Sequence, residues 1–406
     1  MSDGEAQSRA EGAGAAGTRL NSAAIRRLNT ARIFHALREN PSSSQRSLVG
    51  LTGLDAATVS AIVARLEGDG IVARSAPLRS GQAGRPESRL AIAPRAGLLV
   101  GAALEPDAIS LVAMGLDGHR RARLDLPGST DRATALATLQ RGVAEIAAAE
   151  EASSGKLCHI GIGVPGLLDA TGHLVLAPNL GWRDMPLAAW LREAFAVPVH
   201  VDNDAKAAAL AERIFGVARG MRDFVFIYGN AGIGGGLHFG GQLYRGCDGL
   251  AGELGHMKIV PGGRACKCGG RGCLEAYVSE RAIVARLREA GRDLAGAEAI
   301  AAAVAEGDAA VVAVLEEAGG HLGLALANLV NVVNPRAVVL GGNLAVLAAA
   351  LMAAARRALA ANGLPVMLED ATVLVSPFGT DAVPMGGAAL ALEAFQPMPR
   401  DVHTAG

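Results

Sequence analysis

The sequence predicts an α/β protein of two related lobes, preceded by a winged helix-turn-helix. Three observations carry this. From residue 97 onward strand and helix patterns alternate, as in a sheet covered by helices. Two strand openings in that region resemble each other, Gly97–Ala102 before a hairpin and Phe224–Tyr228 before a glycine run. Charge divides at the same boundary. Residues 1–95 hold thirteen Arg, no Lys and eight acids, a balance of +5 within a chain of net charge −1. The chain therefore reads as a basic module joined to a larger acidic one, and 406 residues suffice for two or three domains.

Residues 1–18 are Gly, Ala, Ser and charged residues and predict a disordered tail. The basic module is placed at 19–95. Leu28, Ile33, Phe34 and Leu37 mark the apolar face of a first helix, ended by Asn40-Pro41. Ser44 can cap a second helix carrying Leu48 and Leu51, and Gly53 supplies the turn. Asp55 can cap a third helix with Val59, Ile62, Val63 and Leu66 inward. Helix, glycine turn, helix is the DNA-reading arrangement. The outward residues Ala56, Ala57, Thr58, Ser60, Ala61 and Arg65 are small or polar, which suits close entry into a major groove. A strand from Gly70-Ile71-Val72, a turn at Ser80–Pro86 and a return at Ser88–Ile92 form the wing. Arg85, between Gly and Pro, is placed to reach the minor groove or a phosphate. A three-helix protein-interaction module is the alternative; the charge and the Gly-Arg-Pro turn weigh against it.

In the larger module, Gly97–Ala102 and Ala108–Ala113 read as a hairpin, and His159–Gly166 as a buried strand entering a loop. Val199–Val201 is a strand followed by Asn203-Asp204 and a helix over Ala205–Phe215. Phe224–Tyr228 precedes the glycine run 229–236; an apolar helix near Leu322–Val333 precedes a strand and glycine turn at Val338–Gly342. No apolar run reaches membrane-span length without polar interruption, and no secretory signal is visible. Both point to a cytoplasmic protein without a membrane partner. The alanine-rich, aromatic-poor composition receives no functional weight.

One stretch carries metal chemistry. His256, Cys266, Cys268 and Cys273 follow the spacing His-x9-Cys-x-Cys-x4-Cys. Zinc closes a structural site with four such ligands, and Gly269, Gly270 and Gly272 allow the tight turning. A disulfide is the competing reading, disfavoured by the closeness of Cys266 and Cys268 and by a reducing compartment. Four protein ligands predict one structural zinc per chain. Cys158 and Cys247 stand alone.

Taken together, these residues carry a resemblance. The chain resembles the ROK family of repressors and sugar kinases over about 28–395. Within the family it resembles the branch with an N-terminal winged helix-turn-helix, of the xylose-repressor and N-acetylglucosamine-repressor type. The resemblance rests on Gly161–Gly166, Ala177–Trp182, Val201–Ala205, Glu253–His256, the glycine run, the three-cysteine stretch and Cys273–Tyr277. It implies the actin-like (ribonuclease-H-like) sugar-kinase fold, with a first lobe at 97–217 closed by a C-terminal helix about 384–395, and a second at 218–383. It also implies a sugar between the lobes and a homodimer or homotetramer.

By motif, the implied sugar contacts are Asn179, Asn203, Asp204, Glu253, His256 and Glu275. Carboxylates and amides suit sugar hydroxyls, which both donate and accept. His256 would bind zinc with one ring nitrogen and face the ligand or a carboxylate with the other. A surface or metal-supporting role for Glu253 and Glu275, and a helix-cap role for Asn203-Asp204, stay open.

Asp204 stands where the family's kinases hold their general base. Those kinases also clamp phosphates with an Asp-x-Gly-Gly-Thr turn, and here the segment is Ala103-Leu104-Glu105-Pro106-Asp107. Two acids replace phosphate-compatible residues, and Pro106 removes an N–H donor. Asp204 is then a vestigial base and no catalytic residue is expected. The glycine run can serve a ligand or only a strand connection. The resulting expectation is a sugar-responsive DNA-binding regulator, a repressor released from operator DNA by a sugar; an ATP-dependent sugar kinase is the alternative.

Overall fold

The structure is a computed structural model and describes residues 21–75, 88–369 and 371–397. The expected tail at 1–18, the wing tip and Arg85 lie outside the described residues. The chain divides into two compact units, with the boundary between Ala93 and Pro94.

The first unit holds α1 (Ser22–Glu39), α2 (Gln45–Thr52), α3 (Ala56–Gly68), β1 (Val72–Arg74) and β2 (Leu90–Ile92). Its start signals act as the sequence predicts. Ser44 accepts the N–H of Ser47 and Asp55 that of Thr58, satisfying otherwise orphaned helix donors. Gly53 ends α2 at φ 65°, a left-handed position that glycine adopts without strain. Ile33, Phe34, Leu37, Leu48, Val59, Ile62, Val63 and Leu66 are buried. Two apolar assignments fail. Leu28 is 53% exposed and Leu51 50% exposed; α1 begins six residues before Leu28, and its inward row runs through Thr30, Ile33, Phe34 and Leu37 instead. β1 and β2 pair antiparallel, Val72 opposite Ile92.

The second unit contains one sheet motif used twice. The first copy is β3 (Leu98–Leu104), β4 (Ala108–Gly115), β5 (Arg120–Pro127), then α4 (Arg132–Ser154) and β6 (Leu157–Val164). A small three-stranded sheet follows, β7 (Leu167–Leu168), β8 (Leu174–Ala177) and β9 (Trp182–Met185), then α5 (Leu187–Glu193), β10 (Val199–Asn203) and α6 (Asp204–Ile214). The second copy is β11 (Phe224–Gly229), β12 (Ile233–Phe239) and β13 (Gln242–Tyr244). After the cysteine segment come α7 (Glu275–Val278), α8 (Glu280–Glu289), α9 (Ala297–Ala305), α10 (Ala309–Val333), β14 (Ala337–Gly342), α11 (Asn343–Asn362), α12 (Pro365–Leu368), β15 (Thr372–Val375) and α13 (Ala382–Ala394).

The strand orders are β10-β6-β3-β4-β5 and β13-β12-β11-β14-β15. In each copy the first three strands form an antiparallel meander. The fourth strand lies parallel to the first and the fifth parallel to the fourth. In chain order both sheets therefore read 3-2-1-4-5, a repeated motif that the two similar strand openings announced. The sequence did not announce β5, whose alternating exposed and half-buried pattern hides its edge role.

The small residues do structural work. A Cβ added at Gly101 or Gly161 would collide with the backbone of α13, and one at Gly386 with that of α6. Backbone-to-backbone packing thus lets α13, buried along nearly its whole length, lie directly on β3 and β6.

The membrane-length criterion also needs correction. α10 and α11 are each long and apolar enough, by length and composition, to cross a membrane. Their apolar faces instead pack in the core of the second lobe, where Leu322, Leu326, Leu351 and Ala355 are fully buried.

Candidate functional site

The two lobes meet where Glu105 contacts Asn230, Lys206 contacts Gly249 and Asp202 contacts Arg245. Asn203 ends β10 and caps α6, its Oδ1 accepting the N–H of Lys206 at 3.1 Å. Its Nδ2 donates to the carbonyl of Gly166 at 3.0 Å and to Asp204 Oδ1 at 2.9 Å. The cap reading thus holds for Asn203. Asp204 Oδ1 also accepts the N–H of Ala205 at 2.7 Å, while Oδ2 takes no hydrogen bond among the described residues. Burial, reinforced by the negative charges of Glu105 and Glu253, pushes the Asp204 carboxyl up to about 7.

Glu253 lies opposite. Its side chain is 42% exposed, yet burial of its inner face raises its carboxyl; His256 and Lys206 oppose that shift and Glu275 adds to it. Glu275 is held firmly. Oε2 accepts the N–H of Ile233 at 3.2 Å and Oε1 accepts Arg281 Nη2 at 2.9 Å. Glu253 thus lies within electrostatic reach of Asp204, His256 and Glu275. Asn179 is exposed on the turn between β8 and β9, and no hydrogen bond ties it to the others. Its neighbourhood is fixed through Gly166, at φ 132°, where a Cβ would lie 2.6 Å from the carbonyl of Leu176.

Residues that sequence reasoning missed hold this wall in place. Lys206 is buried, and burial lowers its ammonium; Nζ donates to the carbonyl of Gly249. Arg245 Nη2 pairs with the buried Asp202 at 2.6 Å. Asp202 and Lys206 thereby flank the Asn203-Asp204 pair and fasten the segment that delivers Glu253. A charged residue on each side of that pair was the available signal.

His256, Cys266, Cys268 and Cys273 each offer a ligand atom, all within 4.8 Å of one another. Cys268 Sγ and Cys273 Sγ are 3.7 Å apart, and Cys266 Sγ lies 3.8 Å from His256 Nδ1. A tetrahedron with Zn–S of about 2.3 Å has edges of roughly 3.7 Å, so the donor set fits. A disulfide between Cys268 and Cys273 needs sulfurs about 2.0 Å apart and is excluded at this spacing. His256 Nδ1 faces the thiols and Nε2 faces Glu253 Oε2 at 3.9 Å. Lys258 Nζ lies 2.7 Å from Cys273 Sγ, a cation that offsets thiolate charge.

Two features bear on nucleotide binding. Glycines 234–236 lie within β12. Cβ atoms there would strike Ala205, Leu254 and Ala209, so the run serves close packing against α6 and the segment before His256. At the other turn, Glu105 is half-buried and Oε1 accepts Asn230 Nδ2 at 3.2 Å. Its carboxyl is raised, first by burial and then by Asp107. An acid thus occupies the first hairpin turn, bonded to Asn230 of the second.

Residues 103–394 match the model of the ROK family. The chain belongs to the ROK family. Residues 26–73 match a winged helix-turn-helix DNA-binding model. The xylose repressor of Bacillus spizizenii is 29% identical over 377 residues, covering 91% of this chain and 96% of the relative. A solved ROK family transcriptional regulator, a homolog of the E. coli MLC protein, superposes with a TM-score of 0.78 at 27% identity. That match covers 91% of this chain and 96% of the other. A ROK glucokinase from Streptomyces griseus, solved with glucose and AMPPNP, gives a TM-score of 0.61 at 28% identity over 73% of this chain and 99% of its own.

On α3, Ala56, Ala57, Ser60 and Ala61 are exposed. Two expected DNA contacts are otherwise engaged. Thr58 Oγ1 donates to Asp55 Oδ2 at 2.6 Å. Arg65 turns back to α1, donating through Nη2 to Thr30 Oγ1 at 2.5 Å.

Proposed function

We propose that this chain is a sugar-responsive repressor, binding operator DNA through α3 and releasing it when a sugar enters the cleft. The observation that carries it is Glu105: an acid stands in the phosphate turn within electrostatic reach of Asp204, in a chain that also bears a winged helix-turn-helix. Phosphoryl transfer requires the nucleotide's charge to be neutralised at that place; here it is opposed. The similarity to a xylose repressor and to a ROK regulator over both modules supports the same reading.

Sugar hydroxyls meet Asp204, Glu253, Glu275 and Asn203, with Asn179 at the rim. His256 presents Nε2 towards Glu253 while Nδ1 joins three cysteines on a structural zinc. The zinc contributes no chemistry; it fixes the wall from which Glu275 and His256 project. Ala56, Ala57 and Ser60 face the major groove and Arg85 the minor groove or backbone. The protein acts in the cytoplasm as a homodimer or homotetramer, so that two α3 helices read a palindrome. Release requires the sugar to bind the two states unequally, and coupling of about 1–3 kcal/mol is typical.

One observation favours the kinase reading: a carboxyl near 7 suits a general base. A coupled assay with ATP and a panel of hexoses, pentoses and amino sugars decides. The regulator reading expects no turnover; turnover abolished by Asp204→Asn overturns it.

A further inference from the structure

The two lobes repeat one strand order, so each has an equivalent first hairpin turn: Leu104–Ala108 between β3 and β4, and Gly229–Ile233 between β11 and β12. The contact between Glu105 and Asn230 joins these two turns across the cleft. Asn230 is fixed to its own lobe. Its N–H donates to Gly232 at 2.9 Å and its carbonyl accepts Glu280 N–H at 3.2 Å. Its Oδ1 accepts Asn343 Nδ2 at 2.8 Å, and that nitrogen also donates to Glu280. With Oδ1 taken, Nδ2 lies between Tyr228 Oη of its own lobe at 3.5 Å and Glu105 of the other at 3.2 Å.

Glu105 is fixed in turn. Its N–H donates to Ala108 at 2.9 Å, and Gly128 packs so closely that a Cβ there would lie 2.5 Å from the carbonyl of Glu105. Each partner is thus held by its own lobe before the two meet. A contact between pre-fixed groups costs little ordering entropy, and an acceptor that is charged makes it stronger.

We propose that Glu105 is a positioning residue for the effector site: its carboxylate, bonded to Asn230, bridges the two hairpin turns and holds the lobes together where a nucleotide would otherwise bridge them. This deepens the sugar-sensor reading and rests on it for its consequence, that the sugar is gripped without a nucleotide. The bridge itself is a property of the two turns and is tested separately.

The experiment uses the full chain as wild type, Glu105→Ala, Glu105→Gln, Asn230→Ala and the double variant Glu105→Ala/Asn230→Ala. Hydrogen exchange is followed at the amides of 104–108 and 229–233, with exchange in β6 and metal content as controls for folding. The proposal expects exchange at both turns to accelerate about tenfold in Glu105→Ala and equally in Asn230→Ala, the size of one hydrogen bond to a charged group. The double variant adds nothing further, and Glu105→Gln, whose neutral amide oxygen can still accept, gives an intermediate acceleration of about threefold. Unchanged exchange in Glu105→Ala, or strictly additive effects in the double variant, overturns the bridge.

Affinity for xylose, glucose and N-acetylglucosamine is measured on the same proteins by calorimetry. A roughly tenfold loss in Glu105→Ala that Glu105→Gln partly restores supports the positioning role. Wild-type affinity in Glu105→Ala despite faster exchange overturns it. Failure of every sugar to bind wild type contradicts the sensor reading, while the exchange data still decide the bridge.

Discussion

The hairpin turns of the two lobes occupy equivalent places in one repeated sheet but have taken opposite chemistry. In the first lobe the turn is Glu105-Pro106-Asp107, two acids and a residue without an N–H. In the second it is Asn230-Ala231-Gly232, neutral, with Gly232 so near Glu275 that a Cβ would lie 2.8 Å from Oε2. That second turn is braced from behind. The cysteine segment carries Glu275, Glu275 holds the N–H of Ile233, and Ile233 closes the turn. The first turn is held instead by its own backbone bond from Glu105 to Ala108 and by the close packing of Gly128, and it meets the second through Glu105. The difference teaches which end of the cleft is under chemical demand. On the function proposed above, the sugar end keeps its carboxylates and the His/Cys donor set, while Glu105 at the other end is bonded to the protein's own Asn230.

The comparison breaks most visibly at the brace. Cys273 is buried among the four ligands, and structural zinc contributes on the order of 10 kcal/mol to its local fold. Cys273→Ser is expected to lower metal content from one equivalent per chain to none and to weaken sugar affinity at least a hundredfold, by elemental analysis and calorimetry. Hydrogen exchange in β3 and β6 should stay near wild type, because the first lobe has its own core. Equal damage to both lobes would contradict the division of labour.

Asp204→Asn probes the shared floor of the cleft. Hydrogen bonds to a charged group are worth about 1.5–3 kcal/mol each, so sugar affinity is expected to fall about a hundredfold. Stability moves the other way. The Asp204 carboxyl is raised from 3.8 to about 7, so between those values the folded state holds a proton that the unfolded state has lost. Stability therefore falls as pH rises from about 4 to 7. The melting temperature of Asp204→Asn should match wild type near pH 4, exceed it increasingly up to pH 7 and stay above it at pH 8. A gap that shrinks with rising pH contradicts this electrostatic account.

Smaller effects sharpen the picture. Arg281→Met leaves Glu275 without its cation and is expected to lower sugar affinity about tenfold, with metal content unchanged. Restoring a glycine turn with Glu105→Gly, Pro106→Gly and Asp107→Thr together is expected to yield only weak ATP-magnesium binding, with Kd about 1 mM or roughly −4 kcal/mol, where wild type shows none by thermal shift. Equal ATP binding by both proteins would mean that the acids do not exclude the nucleotide.

How far the sequence reached follows from the same residues. The helix caps Ser44 and Asp55, the buried faces of α2 and α3, the paired strand openings and the metal spacing were all legible, because each is a local pattern. Leu28 and Leu51 misled because both are apolar yet lie on outer helix faces, and only packing shows which side faces inward. The bond from Arg65 to Thr30 was not legible because the two lie 35 positions apart. Lys206 with Gly249, and Glu105 with Asn230, were invisible for the same reason: they join segments that only the folded sheets bring together. The alanines and glycines of α13 were read as composition, though their lack of side chain is what lets that helix lie on β3 and β6.

The central claim, a DNA-binding protein governed by its sugar cleft, is tested most directly by fluorescence anisotropy. The full chain is bound at fixed salt to the DNA upstream of its own gene, then titrated with each sugar that raises its melting temperature. The account predicts release of DNA from wild type and no release from Asp204→Asn at the same sugar concentrations. A sugar that stabilises the wild-type protein but leaves its DNA binding unchanged would contradict it.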